Sequence, residues 1–501
     1  MKTALFAALA VAAGAPAAHA FCGFYVSGSG DKMFNDATQV VLVRDGTRTV
    51  LSMQNDYRGP LDDFAMVVPV PVVLHAGDVK TLSKDVFDHV EALGSPRLVE
   101  YWEQDPCPSP MELEGDMNGA PTAKSSRAMG GAAMPAREDT VKIEAKFDVA
   151  EYKILVLSAT DSTGLETWLR DNHYRIPPGA EPLLRPYVEG GMKFFVAKVD
   201  PTKVTMVDGH AALNPLRFHY DSDDFSLPIR LGMANSSGKQ DLIVSIIARD
   251  KRYEVANYKN VFIPTNFDVR AAVKTRFAEF YAALFDKTIA ANPRAVVTEY
   301  AWTAQRGYHC DPCPDLDVTS QDIASLGGDV VGGDLDNHFV LTRLHARYGK
   351  GDMTDDLRFK EAKPVTGGRE IYSKAGIEYG ATPSPENYFQ ARYAVRHWWT
   401  GPMACAHPQR GVWGGPPDGS AQQVIAASKL AFAPRGKLQL AQLIGRDLWE
   451  IGVKKERPAP APTGGFAKPP ATRAKAMGFG LGALAAFGLL GLASLLRRNR
   501  S

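Results

Sequence analysis

Apolar residues in this chain recur mostly in short runs with a period of two, the spacing of half-buried strands, and only in a few places at helical spacing. Thr38 to Arg44 alternates, Asp45-Gly46 carries a type I′ hairpin signal, and Thr47 to Gln54 returns as the partner strand. Phe64 to Val68 is a β-branched run that Pro69 and Pro71 are expected to end. Val141, Ile143, Ala145, Phe147 and Val149 hold the period of two and lead into Tyr152 to Leu157. Further strands are predicted at Lys193 to Val199, Leu216 to Tyr220, Ile229 to Met233, Leu242 to Ile247, Val296 to Trp302 and Phe339 to Leu344.

Helices are fewer. Ser83 is placed to cap one whose Val86, Phe87, Val90 and Leu93 share a face, with Gly94 and Pro96 as its stop. Thr163 and Glu166 form a capping box before Leu165, Trp168 and Leu169. The longest predicted helix runs from Asp268 to Phe285 on a stripe of Val269, Val273, Phe277, Phe280 and Leu284. Strands without regular intervening helices predict an α+β, β-rich ectodomain of antiparallel or sandwich-like sheets with a few helices. Residues 114–138, dominated by Gly, Ala, Met, Ser and Pro, read as a flexible surface insertion.

The two ends differ from this middle. Lys2 precedes an uncharged run from Thr3 to Ala18, and Ala18-His19-Ala20 supplies the small residues a signal peptidase reads, so residues 1–20 are expected to be removed before Phe21. Gly478 to Leu496 holds 19 residues without a charge, just enough to span a bilayer core, and Arg497, Arg498 and Arg500 follow at once. The expected order is an exported part over 21–453, a Pro- and Ala-rich tether over 454–476, one C-terminal transmembrane helix over 477–496 and a basic cytoplasmic tail over 497–501. Tether, short Gly-rich span and arginine cluster together resemble the bacterial GlyGly-type sorting tails. That resemblance implies an intramembrane sorting protease as a partner; Arg497, Arg498 and Arg500, next to the span, are expected to set its topology by staying cytoplasmic.

Charge and composition narrow the function. Lys and Arg total 57 against 56 Asp and Glu, so no global basic field exists to hold a phosphate backbone, and nucleic acid is excluded as the expected partner. A chain with 45% hydrophobic and 23% charged residues is neither disordered nor a polytopic membrane protein. His-Glu-x-x-His, Gly-x-Ser-x-Gly, P-loop and dinucleotide motifs are absent, and no cofactor is expected.

All five cysteines, Cys22, Cys107, Cys310, Cys313 and Cys405, lie in the expected exported part and are candidates for disulfides; the odd count leaves one unpaired within the chain. The string His309-Cys310-Asp311-Pro312-Cys313-Pro314 supports three readings. One is a structural disulfide, internal or to Cys405. Another is a metal site of Cys310, Cys313, Cys405 and His407, which has suitable ligand types but no recurrent finger spacing in its second pair. The third is thiol chemistry, which the following Pro314, Asp315 and Asp317 disfavour because they do not begin a helix. Asp311, Asp315, Asp317 and Asp322 read as a solvated acidic loop rather than a calcium site. His338 and His345, seven residues apart on a strand, face opposite sides and read as structural. Trp398, Trp399 and Trp413 bracket Cys405 and His407 in a Gly- and Pro-rich segment. These rings either pack over a disulfide, the favoured reading, or stack on sugars or fill a partner's pocket, with Arg396, His397 and His407 as polar contacts.

Several strings also coincide with a known pattern. Phe21-Cys22-Gly23-Phe24, Tyr57-Arg58-Gly59-Pro60 leading to Phe64 through Pro71, Tyr152 to Ala159 with Trp168-Leu169, the Cys310 to Pro314 string, and Leu341 to Tyr348 resemble the bacterial domain-of-unknown-function family 2330. The resemblance runs in order from Phe21 to about Lys360. It implies an exported bacterial protein, often with a C-terminal anchor. Val26 stands where members tend to carry a second early cysteine, which argues against a simple N-terminal bridge for Cys22.

The sequence therefore leads to a membrane-anchored ectodomain in the bacterial cell envelope, non-catalytic, that binds an extracellular ligand or serves structurally. The alternative is an extracytoplasmic hydrolase or a thiol or metal enzyme centred on Cys310, Cys313, Cys405 and His407.

Overall fold

The alternation in the first strands is set by a hairpin of β1 (Phe34–Asp45) and β2 (Arg48–Arg58). Asp45 pairs with Arg48, so the two-residue loop is Gly46-Thr47, one step later than the Asp45-Gly46 signal, and Gly46 takes a φ of +56° that a side chain would resist. The computed structural model describes residues 24–26, 34–58, 65–107 and 141–456, with short breaks after residue 174. The chain divides after Glu456 into two compact units, and the second lies outside the described residues. So do the expected signal peptide, the insertion at 114–138, the span at 477–496, Arg497, Arg498, Arg500, Cys22 and Cys310. Among the described residues no helix is long and apolar enough to cross a membrane.

Chain order continues with β3 (Ala65–Val70), β4 (Val79–Thr81), α1 (Asp85–Gly94) and β5 (Arg97–Glu103). Next come β6 (Val141–Val149), β7 (Tyr152–Ala159), α2 (Ser162–Asp171), α3 (Glu181–Glu189), β8 (Lys193–Val199), β9 (Leu216–Asp221) and β10 (Gln240–Ala248). The last stretch holds α4 (Phe277–Ala291), β11 (Ala295–Gln305), α5 (Ser320–Ile323), β12 (His338–Tyr348), β13 (Tyr388–Gln390), β14 (Arg392–His397), β15 (Trp413–Gly414) and β16 (Val424–Ala426).

An eleven-stranded sheet carries the run β13-β11-β12-β10-β1-β2-β9-β4. Within that run β10 and β1 are parallel and the other neighbours antiparallel. A five-stranded antiparallel sheet, with the run β3-β8-β7-β6, packs across one face of it. Phe195, Ala197 and Val199 of β8 meet Leu42, Phe218 and Val244 in that core, while the alternate Phe194 and Val196 join Leu165 of α2 and Leu184 of α3 on the outside. Helices α1 and α4 cover parts of the other face of the large sheet. Strand β10 is buried at every position because both its faces are covered, which is why Leu242 to Ile247 is apolar on both faces apart from Ser245.

Four expectations need correction. Ile229 to Met233 is not a strand; Leu231–Asn235 forms a 3-10 turn. The helix expected from Asp268 begins only at Phe277 and extends to Ala291. Ahead of it Phe267–Asp268 pairs in parallel with Tyr393 and Ala394, and the Val269 amide donates to the Ala394 carbonyl at 2.8 Å, so sheet pairing takes the backbone that helical spacing claimed. The cap of α2 is Asp161, whose carboxylate accepts from the Gly164 amide, rather than Thr163. Strand β3 also passes through Pro69, which pairs with Phe194, before ending at Val70. The architecture is β-rich, with several antiparallel and mixed sheets and few helices.

A third, smaller sheet positions the candidate site. Strand β5 lies parallel to β14, and β15 and β16 both pair antiparallel with β5.

Candidate functional site

Alternation along β5 sorts its side chains to two faces: Val99, Tyr101 and Glu103 on one, Leu98, Glu100 and Trp102 on the other. On the first face Trp413 packs against Val99, Tyr101 and Ala394. Trp398 stands beside it with ring centroids 4.9 Å apart at 75°, and is 60% exposed. The guanidinium of Arg396 lies 4.8 Å over Trp413, and that of Arg410 lies 5.8 Å over Trp398. Met403 and Val412 are exposed on the same segment. Trp399 does not join this surface, because its indole turns back to the Pro402 carbonyl.

Glu103 holds the segment in place. Its buried carboxylate accepts two hydrogen bonds from Arg410, both 2.7 Å, one from the Gly411 amide at 2.8 Å and one from the Trp399 amide at 3.0 Å. The Arg410 bonds, opposed by burial and joined by the two amides, pull the carboxyl down to about 2. A disulfide between Cys107 and Cys405, with Cα atoms 5.5 Å apart, ties the chain after β5 to the same segment.

That bridge fixes where the sequence candidates fall. Cys405 is bonded to Cys107, and Cys313 is disulfide-bonded as well, so neither offers a thiolate to a metal. The four-residue set with Cys310 and His407 is therefore not assembled as a metal site; His407 is an exposed side chain. Among the described residues no group of three or more His, Cys, Asp or Glu could hold a metal ion. Asp322 leaves the acidic loop to cap α5, accepting from the Thr319 amide at 2.8 Å and pairing with His89 at 2.9 Å. His338, at the start of β12, pairs with Asp250.

His345 belongs to something the sequence did not announce. On the helix-covered face of the large sheet a line of charges occupies core positions. Arg343 donates to Glu91 at 2.5 and 3.0 Å and to Glu299 at 2.7 Å. His345 spans Glu299, 2.6 Å from Nδ1, and Asp241, 3.0 Å from Nε2. Asp241 also accepts from Arg347 at 2.6 Å and Arg435 at 3.0 Å, and Arg435 pairs onward with Asp286. The Tyr281 hydroxyl donates to Glu299 at 2.6 Å, and Phe285 stacks on the imidazole with centroids 3.8 Å apart.

The line has four carboxylates, Glu91, Glu299, Asp241 and Asp286, and three guanidiniums, Arg343, Arg347 and Arg435. It is neutral only when His345 is an imidazolium, and both its ring nitrogens face carboxylates, so both must donate. Each carboxylate oxygen of Glu91, Glu299 and Asp241 already accepts at least one bond within the protein. Burial pushes the imidazole down, but Glu299 and Asp241 outweigh it and raise its pKa. A raised folded value means a contribution fully present below the ordinary pKa of 6.5 and lost as pH rises through the folded value. The urea midpoint is accordingly expected to fall as pH rises above the ordinary histidine value of 6.5 and through the raised folded one. A flat profile, or the same slope in His345→Gln, would remove this role from His345.

The only trace of the line in the sequence is the interruption of an apolar strand by Arg343 and His345; Glu91, Asp241 and Glu299 carry no spacing that links them. No curated protein and no solved structure matches this chain. The family model described as an uncharacterized protein conserved in bacteria, DUF2330, covers residues 16–360, which takes in β5 and the buried charges on β10, β11 and β12 but not Trp398 or Trp413. That match spans more than half of the 501 residues, as the ordered strings from Phe21 to Tyr348 led one to expect, and the chain belongs to this family of bacterial proteins.

Proposed function

We propose that this protein is a non-catalytic binding module exported to the bacterial cell envelope and anchored there by its C-terminal span, and that Trp398 and Trp413 form its recognition surface. One observation carries the reading: a large apolar ring stands 60% exposed on a segment that Glu103 and the Cys107 to Cys405 bridge hold to the sheet. A flat ring on a segment ordered in advance adds contact area at little entropic cost, and exposed tryptophan beside arginine is the composition of an interface hot spot. Glu103, Arg410 and the Cys107 to Cys405 bridge supply the rigidity. Export is supported by the Lys2 to Ala20 leader pattern and by a bridge of the kind that persists in oxidising compartments.

Sedimentation tests it. The purified full chain, held in detergent so that its expected span is already covered, is mixed with insoluble, lipid-free envelope material of the source bacterium, with Trp398→Ala/Trp413→Ala as comparison. Wild type is expected in the pellet and the double variant, with an unchanged melting curve, to bind at least about tenfold more weakly. Equal sedimentation of the two, or none by wild type, would reject the recognition surface.

A further inference from the structure

The opposite face of the same small sheet carries a second feature. Strand β15 follows β5 only as far as Gly414, opposite Trp102, and β16 rejoins it at Val424, opposite Val99. The loop between them bows away from the sheet and leaves a groove of about 770 Å³ beside Trp102, with Glu100, Lys274, Asp418 and Ser420 in its lining. That is within the roughly 300–1,000 Å³ of small-molecule sites.

The groove is built in advance of any ligand. Pro416 and Pro417 stiffen one wall. The Gln422 amide nitrogen donates to the Glu100 carbonyl at 2.7 Å, and Asp418 fixes the turn by accepting from the Ser420 amide at 3.0 Å and hydroxyl at 2.6 Å. Trp102 is partly exposed, and His397 stacks on one face of it with centroids 4.8 Å apart at 18°. His397 is itself anchored on Glu100 at 2.9 Å.

We infer that this groove binds a neutral carbohydrate. The Lys274 ammonium spends one donor on Glu100 at 2.6 Å and its side chain is 43% exposed, so donors remain for the groove. Asp418 receives both Ser420 bonds on Oδ1, and carboxylate acceptor capacity remains on it. Lys274 and Glu100 cancel in charge and Asp418 adds a negative one, so an anion meets carboxylates and a cation meets an ammonium. A sugar ring suits both halves: its C–H face stacks on an indole, and its rim of hydroxyls both donates to a carboxylate and accepts from an ammonium. The site is separate from Trp398, which packs with Trp413 on the Tyr101 side of the sheet.

Titration calorimetry with chitohexaose, cellohexaose and maltohexaose tests the inference, using the full chain in a detergent without a sugar headgroup and an oligogalacturonate as the charged control. At least one neutral oligosaccharide is expected to give a saturable titration, and the control none. Trp102→Ala is expected to weaken it about tenfold, Asp418→Ala about three- to tenfold, and Trp398→Ala not at all. If Trp102→Ala fails to fold, Asp418→Ala and Gln423→Ala, both on the surface loop, carry the comparison. No titration with any neutral probe, preference for the charged one, or binding that every groove variant leaves unchanged would overturn the assignment. Sugar binding lost in Trp398→Ala alone would move it to the recognition surface, defeating this inference while leaving the proposed function standing.

Discussion

Glu299→Gln is expected to destabilise the protein by about 3–5 kcal/mol. The side chain is fully buried, and its two oxygens accept from Arg343, His345 and Tyr281. An amide of the same shape keeps one acceptor and turns a donor toward groups that are themselves donors. It also removes a negative charge, leaving the four positive groups of the line facing three carboxylates. Burial pushes the Glu299 carboxyl up while His345 and Arg343 more than offset it, so its native pKa falls well below 4.5 and the charge is present at neutral pH. Arg343→Met should be comparably severe, because Glu91 and Glu299 would then lie close together without the cation between them. The pair Glu91→Leu/Arg343→Met is expected to cost less than the sum of its parts, since charges leave together. Urea midpoints at constant slope measure all three. A change of under about 0.5 kcal/mol in Glu299→Gln would mean that water reaches the site and that it is not a sealed core.

Such a line costs desolvation that apolar residues would avoid, so it defines arrangement more than it adds stability. It joins α1, three central strands, α4 and the Arg435 segment, elements that lie far apart in sequence. Each carboxylate is satisfied only when its own partner arrives, which favours one docking of the helices on the sheet over near alternatives.

How far this was legible depends on whether a signal is local. Period-two runs marked β8 at its observed limits, and the central strands β10, β11 and β12 were foreseen and only lengthened in the structure. Those signals survive because alternation is a property of a few neighbouring residues. Asp268 failed for the opposite reason: its helical spacing is real, but Tyr393 and Ala394, more than a hundred residues later, claim the backbone first. Parallel pairing of β5 with β14 and of β10 with β1 likewise leaves no mark in either partner's sequence. At the candidate site, Trp398, Trp413, Cys107 and Cys405 stand out by residue type, whereas Glu103 and Trp102 do not, because their importance comes only from the strands that later align with β5. The same applies to the pairing of Cys405, which no spacing around Cys310 and Cys313 could have revealed.

Cys107→Ser/Cys405→Ser is expected to lower stability by about 2–5 kcal/mol and to loosen the recognition surface in particular. The bridge closes a separation of 298 residues, so its loss returns considerable freedom to the unfolded chain. The local effect is larger. Strand β15 contributes only Trp413 and Gly414 to the sheet, and the segment before it is Gly- and Pro-rich with two backbone bonds to the chain after β5, Gln104 to Val412 and Gln409 to Pro106, both 2.8 Å. Without the bridge, those bonds and the Glu103 to Arg410 pair must hold Trp398 and Trp413 against the entropy of a loop. Brief trypsin treatment followed by mass mapping is therefore expected to cut after Arg410 in the double variant, or in reduced wild type, well before the rest of the fold yields. Envelope binding should fall with it although neither tryptophan has changed, because a ring that must be ordered on binding loses the advantage of being held in advance. An unchanged urea midpoint with no early cleavage at Arg410 would show that Glu103 and the strand register suffice, and that the disulfide is incidental to the surface it adjoins.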